Sequence, residues 1–108
     1  DEGLIDNARD SGALLKRGLE GLMRKHDLIG DVRGVGLAVG MELVRDRKTL
    51  APAAAEAARL LSLIRDEGVL VGGEGKLSNI VKIRPPLVFR PEHAEIAVAA
   101  IDRAFARL

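Results

Sequence analysis

The chain has 108 residues, 47% of them hydrophobic and 31% charged, which is room for one folded domain with a real core. Aromatic content is only 2%, Phe89 and Phe105 with no Trp or Tyr, so stacking platforms for bases or sugars are absent. The lack of cysteine excludes a disulfide framework, a thiolate metal site and a Cys nucleophile, and a net charge of +1 gives no electrostatic case for nucleic acid or an anionic membrane.

Apolar residues at Leu4, Ala8, Leu15, Leu19, Leu22 and Met23 step by threes and fours, which predicts an amphipathic first helix of about six turns. Gly12, Gly18 and Gly21 each cost such a helix about 1 kcal/mol against Ala, so it must lean on packing, with Gly12 a candidate for close approach. Asp27 and Gly30 supply its stop. Residues 31–45 then alternate, with Leu37, Val39, Met41 and Leu43 apolar, and read as one strand with glycine irregularities near its start.

Asp46, Arg47 and Lys48 form a polar turn, and Pro52 is expected to open a second helix burying Ala57, Leu60, Leu61 and Ile64. Gly68 ends that helix at the position helices favour for a left-handed cap. Val69-Leu70-Val71 reads as a short strand, and Gly72, Gly73, Gly75 and Ser78 as a loop. Residues 79–84 form another strand, with Val81 and Ile83 on one face and Ile80, Lys82 and Arg84 on the other. Pro85-Pro86 stops it, because proline has no backbone donor. Pro91 starts a last helix whose buried stripe is Ala94, Ala97, Ile101, Ala104, Phe105 and Leu108, behind Arg90, a poor N-cap. The order predicts an α+β fold, a small mostly antiparallel or mixed sheet of three to four strands with helices packed on one face.

Gly34, Gly36 and Gly40 miss the dinucleotide spacing, which needs its third glycine at 39, and they enter a strand rather than a helix. His26 and His93 have no spaced partners, so they read as solvated helix-end histidines and no metal site is expected. Lys82 and Arg84 stand apart. They share one face of a short strand with a sharp end, a geometry that holds a carboxylate or phosphate, Arg by its fork and Lys as a point charge. Equally, two such cations are what a solvated edge strand uses to discourage edge pairing, and the residues alone leave both readings open. No apolar run reaches the roughly 20 residues of a membrane span, no leader resembles a signal peptide, and a cytoplasmic protein is expected.

The stretch Asn79-Ile-Val-Lys-Ile-Arg-Pro-Pro-Leu-Val-Phe-Arg-Pro-Glu-His-Ala resembles the C-terminal signature of class III aminotransferases. Asp31-Val-Arg-Gly-Val-Gly-Leu-Ala-Val-Gly-Met-Glu-Leu-Val is similar to an upstream stretch of the same family, and the two stand in the right order. The resemblance implies that residues 1–108 are the C-terminal small domain of a fold-type-I enzyme. The large domain would bind pyridoxal phosphate through its own lysine, outside this chain. It further implies a homodimer that moves an amino group between an amine or amino acid and an oxo acid. In the family, the small domain closes over the site and supplies an arginine for the substrate carboxylate.

That register holds Lys82 here, with Arg84 two residues later, so these two are the expected substrate-binding residues, and no catalytic or cofactor-binding residue falls in the chain. A lysine at this position also resembles relatives that act as lyases on phosphorylated amino alcohols. A free-standing anion-binding module and a structural dimerisation module using the first helix are the further alternatives. By itself the fragment is expected to catalyse nothing.

Overall fold

A computed structural model describes residues 2–35, 38–69, 71–74, 79–83 and 90–108. The first helix, α1, runs Glu2–Lys25 and buries Ser11, Leu15, Leu19 and Leu22, the three-and-four spacing of one helical face. Its basic last turn suits the negative end of the helix dipole. Arg47 reaches back to donate to the carbonyls of Met23 and His26, capping acceptors that the helix leaves open. A close approach falls at Gly18, where a Cβ would lie 2.5 Å from Val98 Cγ2 of the last helix.

Residues expected to form one strand form two. Strand β1, Ile29–Val35, and strand β2, Ala38–Asp46, pair antiparallel, from Ile29 opposite Leu43 to Val35 opposite Ala38. The apolar alternation resumes on the far side of the reversal, so a period-two reading sees no break; residues 36 and 37 lie outside the described residues. Gly30 is not a helix stop. It sits in β1 at a register irregularity, where a Cβ would meet Val44 Cγ2 at 2.7 Å. Asp46 Oδ1 accepts from the Lys48 amide at 2.7 Å and shapes the next turn, which places Leu50 at φ +59.

Pro52 closes a two-residue strand β3, Ala51–Pro52, instead of opening a helix. The next amide, of Ala53, donates to Leu43 O, which ties this point to the sheet. Helix α2 therefore starts one residue later, spans Ala54–Asp66 and buries Ala57, Leu60 and Ile64; Leu61 is partly buried against the core. Gly68, at φ +89, makes the expected left-handed cap, and the Val69 amide returns to Ile64 O.

Strand β4 runs Val71–Glu74, so Gly72 and Gly73 lie in the ladder rather than in a loop. Strand β5, Ile80–Ile83, buries Val81 and Ile83 and leaves Ile80 and Lys82 partly exposed, the expected alternation. Asn79 extends it: its Nδ2 donates to Leu43 O and its carbonyl accepts from the Leu43 amide. Helix α3, Pro91–Ala106, has Pro in its first turn and buries Ala94, Ala97, Ala100, Ile101, Ala104 and Phe105, while Leu108 beyond it is exposed.

The sheet order is β1-β2-β5-β4 with β3 on β2, every described pair being antiparallel. The fold is α+β, as expected, with five strands where three to four were predicted. Val32, Val39, Met41, Val81, Ile83 and Val71 from one face of the sheet join Leu15, Leu19, Leu60, Ile64 and Ile101 from the helices in one core. No helix among the described residues is long and apolar enough to cross a membrane.

Candidate functional site

The other face of the sheet carries the candidate chemistry. Because directly opposed residues of antiparallel strands share a face, the register writes out its rows. Gly40 opposes Arg33 on one side and Lys82 on the other, and Lys82 opposes Gly72. One row across β1-β2-β5-β4 therefore reads Arg33, Gly40, Lys82, Gly72. The next reads Asp31, Glu42, Ile80 across the first three strands. A cationic row thus alternates with glycine beside an acidic one.

Lys82 is held on β5 with glycine directly across from it on both neighbouring strands, so no opposed side chain shields its stem. Arg33 is steadied by carboxylates, its Nη2 at 2.8 Å from Glu42 Oε2 and its Nε at 3.2 Å from Asp31 Oδ2. Arg84, expected to share the Lys82 face, lies outside the described residues. Arg33 and Gly40 were missed as neighbours of Lys82. The signal was present, since the alternation of Val39, Met41 and Leu43 puts position 40 on the opposite face, but cross-strand partners need the hairpin that the sequence reading did not see.

One of the two histidines differs from expectation. His26 is not solvated: its side chain is 17% exposed, stacks on Phe105 with ring centroids 4.6 Å apart, and places Nε2 2.7 Å from Asp102 Oδ1. Asp102 also takes Lys25 Nζ at 2.7 Å, so one carboxylate on α3 fastens the end of α1. Hydrogen bonds from Lys25 first and His26 second hold the Asp102 carboxyl below the usual aspartate range. His93 is exposed, as expected, and its Nδ1 accepts the Arg90 amide at 3.1 Å, which gives α3 an N-terminal bond that does not depend on the Arg90 side chain.

A groove of about 320 Å³ lies between α1 and α3, lined by Leu14, Leu22, Val98 and Ala99 with Glu95 and Asp102 on it. It is mainly apolar and belongs to the helix layer. No group of three or more acidic or histidine side chains suited to a metal ion occurs among the described residues.

Comparison with known proteins gives this arrangement its setting. The family model described as aminotransferase class-III matches residues 1–105. An alanine–glyoxylate aminotransferase 2 homolog of Arabidopsis thaliana, mitochondrial, is 42% identical over 107 residues, covering 99% of this chain and 22% of that protein. A phospholyase from Arthrobacter, solved with phosphoethanolamine, superposes with a TM-score of 0.90 at 34% identity, over 99% of this chain and 25% of that one. An amine transaminase from an uncultivated Pseudomonas species, solved with PLP bound, gives 0.85 at 36% identity, over 98% and 24%. The chain thus spans about a quarter or less of the proteins it matches.

Proposed function

The chain belongs to the class III aminotransferase family, and from that membership we propose that it is the C-terminal small domain of a pyridoxal-phosphate-dependent aminotransferase. The parent is a cytoplasmic homodimer that moves an amino group between an amine or amino acid and an oxo acid. The cofactor carries that chemistry, and its seat belongs to the part of the parent beyond this chain. What this chain contributes is binding and orientation: Lys82, with Arg84 beside it in sequence, takes the anionic group of the substrate, and the sheet face carrying Lys82 closes over the site.

The observation that carries this reading is the setting of Lys82. It stands on the sheet face opposite the helix layer, between Gly40 and Gly72, in the family register where an anion-binding cation is expected. An ammonium there acts as a compact point charge without the planar fork of arginine, so it places less demand on the anion's shape.

That property favours a second reading, a lyase acting on a phosphorylated amino alcohol. It is supported by the similarity to the phosphoethanolamine-bound phospholyase and by a Caenorhabditis elegans relative named as an ethanolamine-phosphate phospho-lyase. The two readings part on products. Given phosphoethanolamine and pyruvate, the full-length parent releases inorganic phosphate if it is a lyase and forms alanine if it is an aminotransferase.

Under either reading Lys82→Ala raises KM for the anionic amine about tenfold or more, the weight of a hydrogen bond to a charged group. An unchanged KM in a folded Lys82→Ala parent removes the anion-binding role. The isolated chain is expected to turn over no amine; measurable transaminase activity from it alone would overturn its assignment as a small domain.

A further inference from the structure

The described glycines do not all answer to one constraint. At Gly18 and Gly30 a Cβ would collide with Val98 at 2.5 Å and Val44 at 2.7 Å, so packing within the domain requires glycine. At Gly40 the nearest atoms to a Cβ would be Ile80 Cγ2 at 3.5 Å and Val81 O at 3.8 Å, ordinary contact. Its backbone is not in the left-handed region either, Gly68 being the positive-φ glycine among the described residues. Alanine would fit the fold at 40, and a glycine inside a strand forfeits backbone entropy and side-chain packing. Nothing this domain does for its own stability accounts for the glycine.

Its position supplies an account. Gly40 lies directly between Arg33 and Lys82 in the cross-strand row, one inter-strand spacing of about 4.8 Å from each backbone. The two flanking residues are cations on one sheet face, and the strip between them has no side chain rising from it. Arg33 is already oriented by Asp31 and Glu42, so its position does not depend on a ligand.

We infer that Gly40 is a specificity-determining position for the parent's reaction: its missing side chain keeps open the strip between Lys82 and Arg33 where the substrate's anionic group is seated. This rests on the reading of Lys82 as the anion-binding residue and adds to it what limits the size of the anion. A methyl group at 40 narrows the seat without disturbing the domain, and an isopropyl group closes it. Arg33 forms the far wall, its own charge already met by Asp31 and Glu42, so the attraction for the anion comes from Lys82.

The experiment uses the full-length parent loaded with pyridoxal phosphate. Phosphoethanolamine, taurine, β-alanine and propylamine are titrated while cofactor absorbance is followed, giving a half-saturating concentration for each. Wild type, Gly40→Ala, Gly40→Val and Lys82→Ala are compared, with melting temperatures for all four. Gly40→Ala is expected to raise the half-saturating concentration of the best anionic amine about tenfold, the scale on which one methyl group is read in a binding site. Gly40→Val raises it further, while propylamine is unaffected and the melting temperature of Gly40→Ala does not fall.

If both Gly40 variants bind the anionic amines normally while Lys82→Ala is impaired, the inference about Gly40 fails and the reading of Lys82 survives. If Lys82→Ala also binds normally, both fail. Equal weakening of propylamine, or loss of the folded parent in Gly40→Ala, means that the large domain fills this space, which overturns the inference.

Discussion

The two faces of the sheet are built from the same strands and answer to different constraints. Toward the helices Val32, Val39, Met41, Val81 and Ile83 are all buried in the shared core, and where α1 meets α3 even a missing side chain is dictated, since Val98 occupies the space of a Cβ at Gly18. On the other face, Gly40 has room for a Cβ and does not use it, and the side chains beside it are charged. A single strand, β2, carries both regimes in alternation: Val39 and Met41 are fully buried, whereas Gly40 and Glu42 are not. The difference teaches that glycine here is informative only after its surroundings are known. The same residue marks tight packing between α1 and α3 and a reserved space on the far face of the sheet.

If the helix-side face is the stabilising one, its substitutions must be costly and graded by what they remove. Ile101→Ala, at a fully buried position in the shared core, is expected to cost about 2–5 kcal/mol in denaturant unfolding. Gly18→Ala adds atoms where Val98 of α3 already sits, and overpacking of this kind costs about 1–3 kcal/mol. A wild-type midpoint in either variant would break the comparison from this side.

Asp102→Asn tests the fastening of α1 to α3. Partly exposed, the cluster is worth about 0.2–1 kcal/mol near neutrality. The sign follows from its depressed pKa in the fold. The carboxylate's contribution is present above the unfolded aspartate value of about 3.9 and is lost as pH falls through the lower folded value. The gap between wild type and Asp102→Asn should therefore close in acid; a gap constant from pH 7 to below that range would show that the charge is not what the site uses.

The smallest stability effect belongs to the other face. Lys82→Ala is expected to leave unfolding of this chain within about 0.5 kcal/mol of wild type, as surface substitutions generally do. In the parent the same change should fall on substrate affinity. A large stability loss from Lys82→Ala would erase the division of labour between the two faces.

Much of this was legible in the residues. The spacing of Leu15, Leu19 and Leu22, the alternation of Ile80 to Ile83 and the Pro91 start of α3 each predict their element, because each is a local pattern that the helix or strand period repeats. Gly68 as a left-handed cap is local in the same sense. The errors fall where a local signal has a distant cause. Pro52 looks like a helix opener until Ala53 is seen donating to Leu43, and His26 looks solvated until Phe105 and Asp102 arrive from the other end of the chain.

Lys82 is singled out as a candidate by strand alternation and by its place in a family stretch, both carried by the sequence. Its neighbours were not, because Arg33 and Gly40 lie more than 40 positions away along the chain and are brought beside it only by the register of three strands. What the sequence determined by itself is therefore the set of periods: which segments can be helices or strands, and which face of each is apolar. What only the tertiary structure decided is adjacency. Pairing register is set by burying all those apolar faces together, and no local period can say which cation will stand across which glycine.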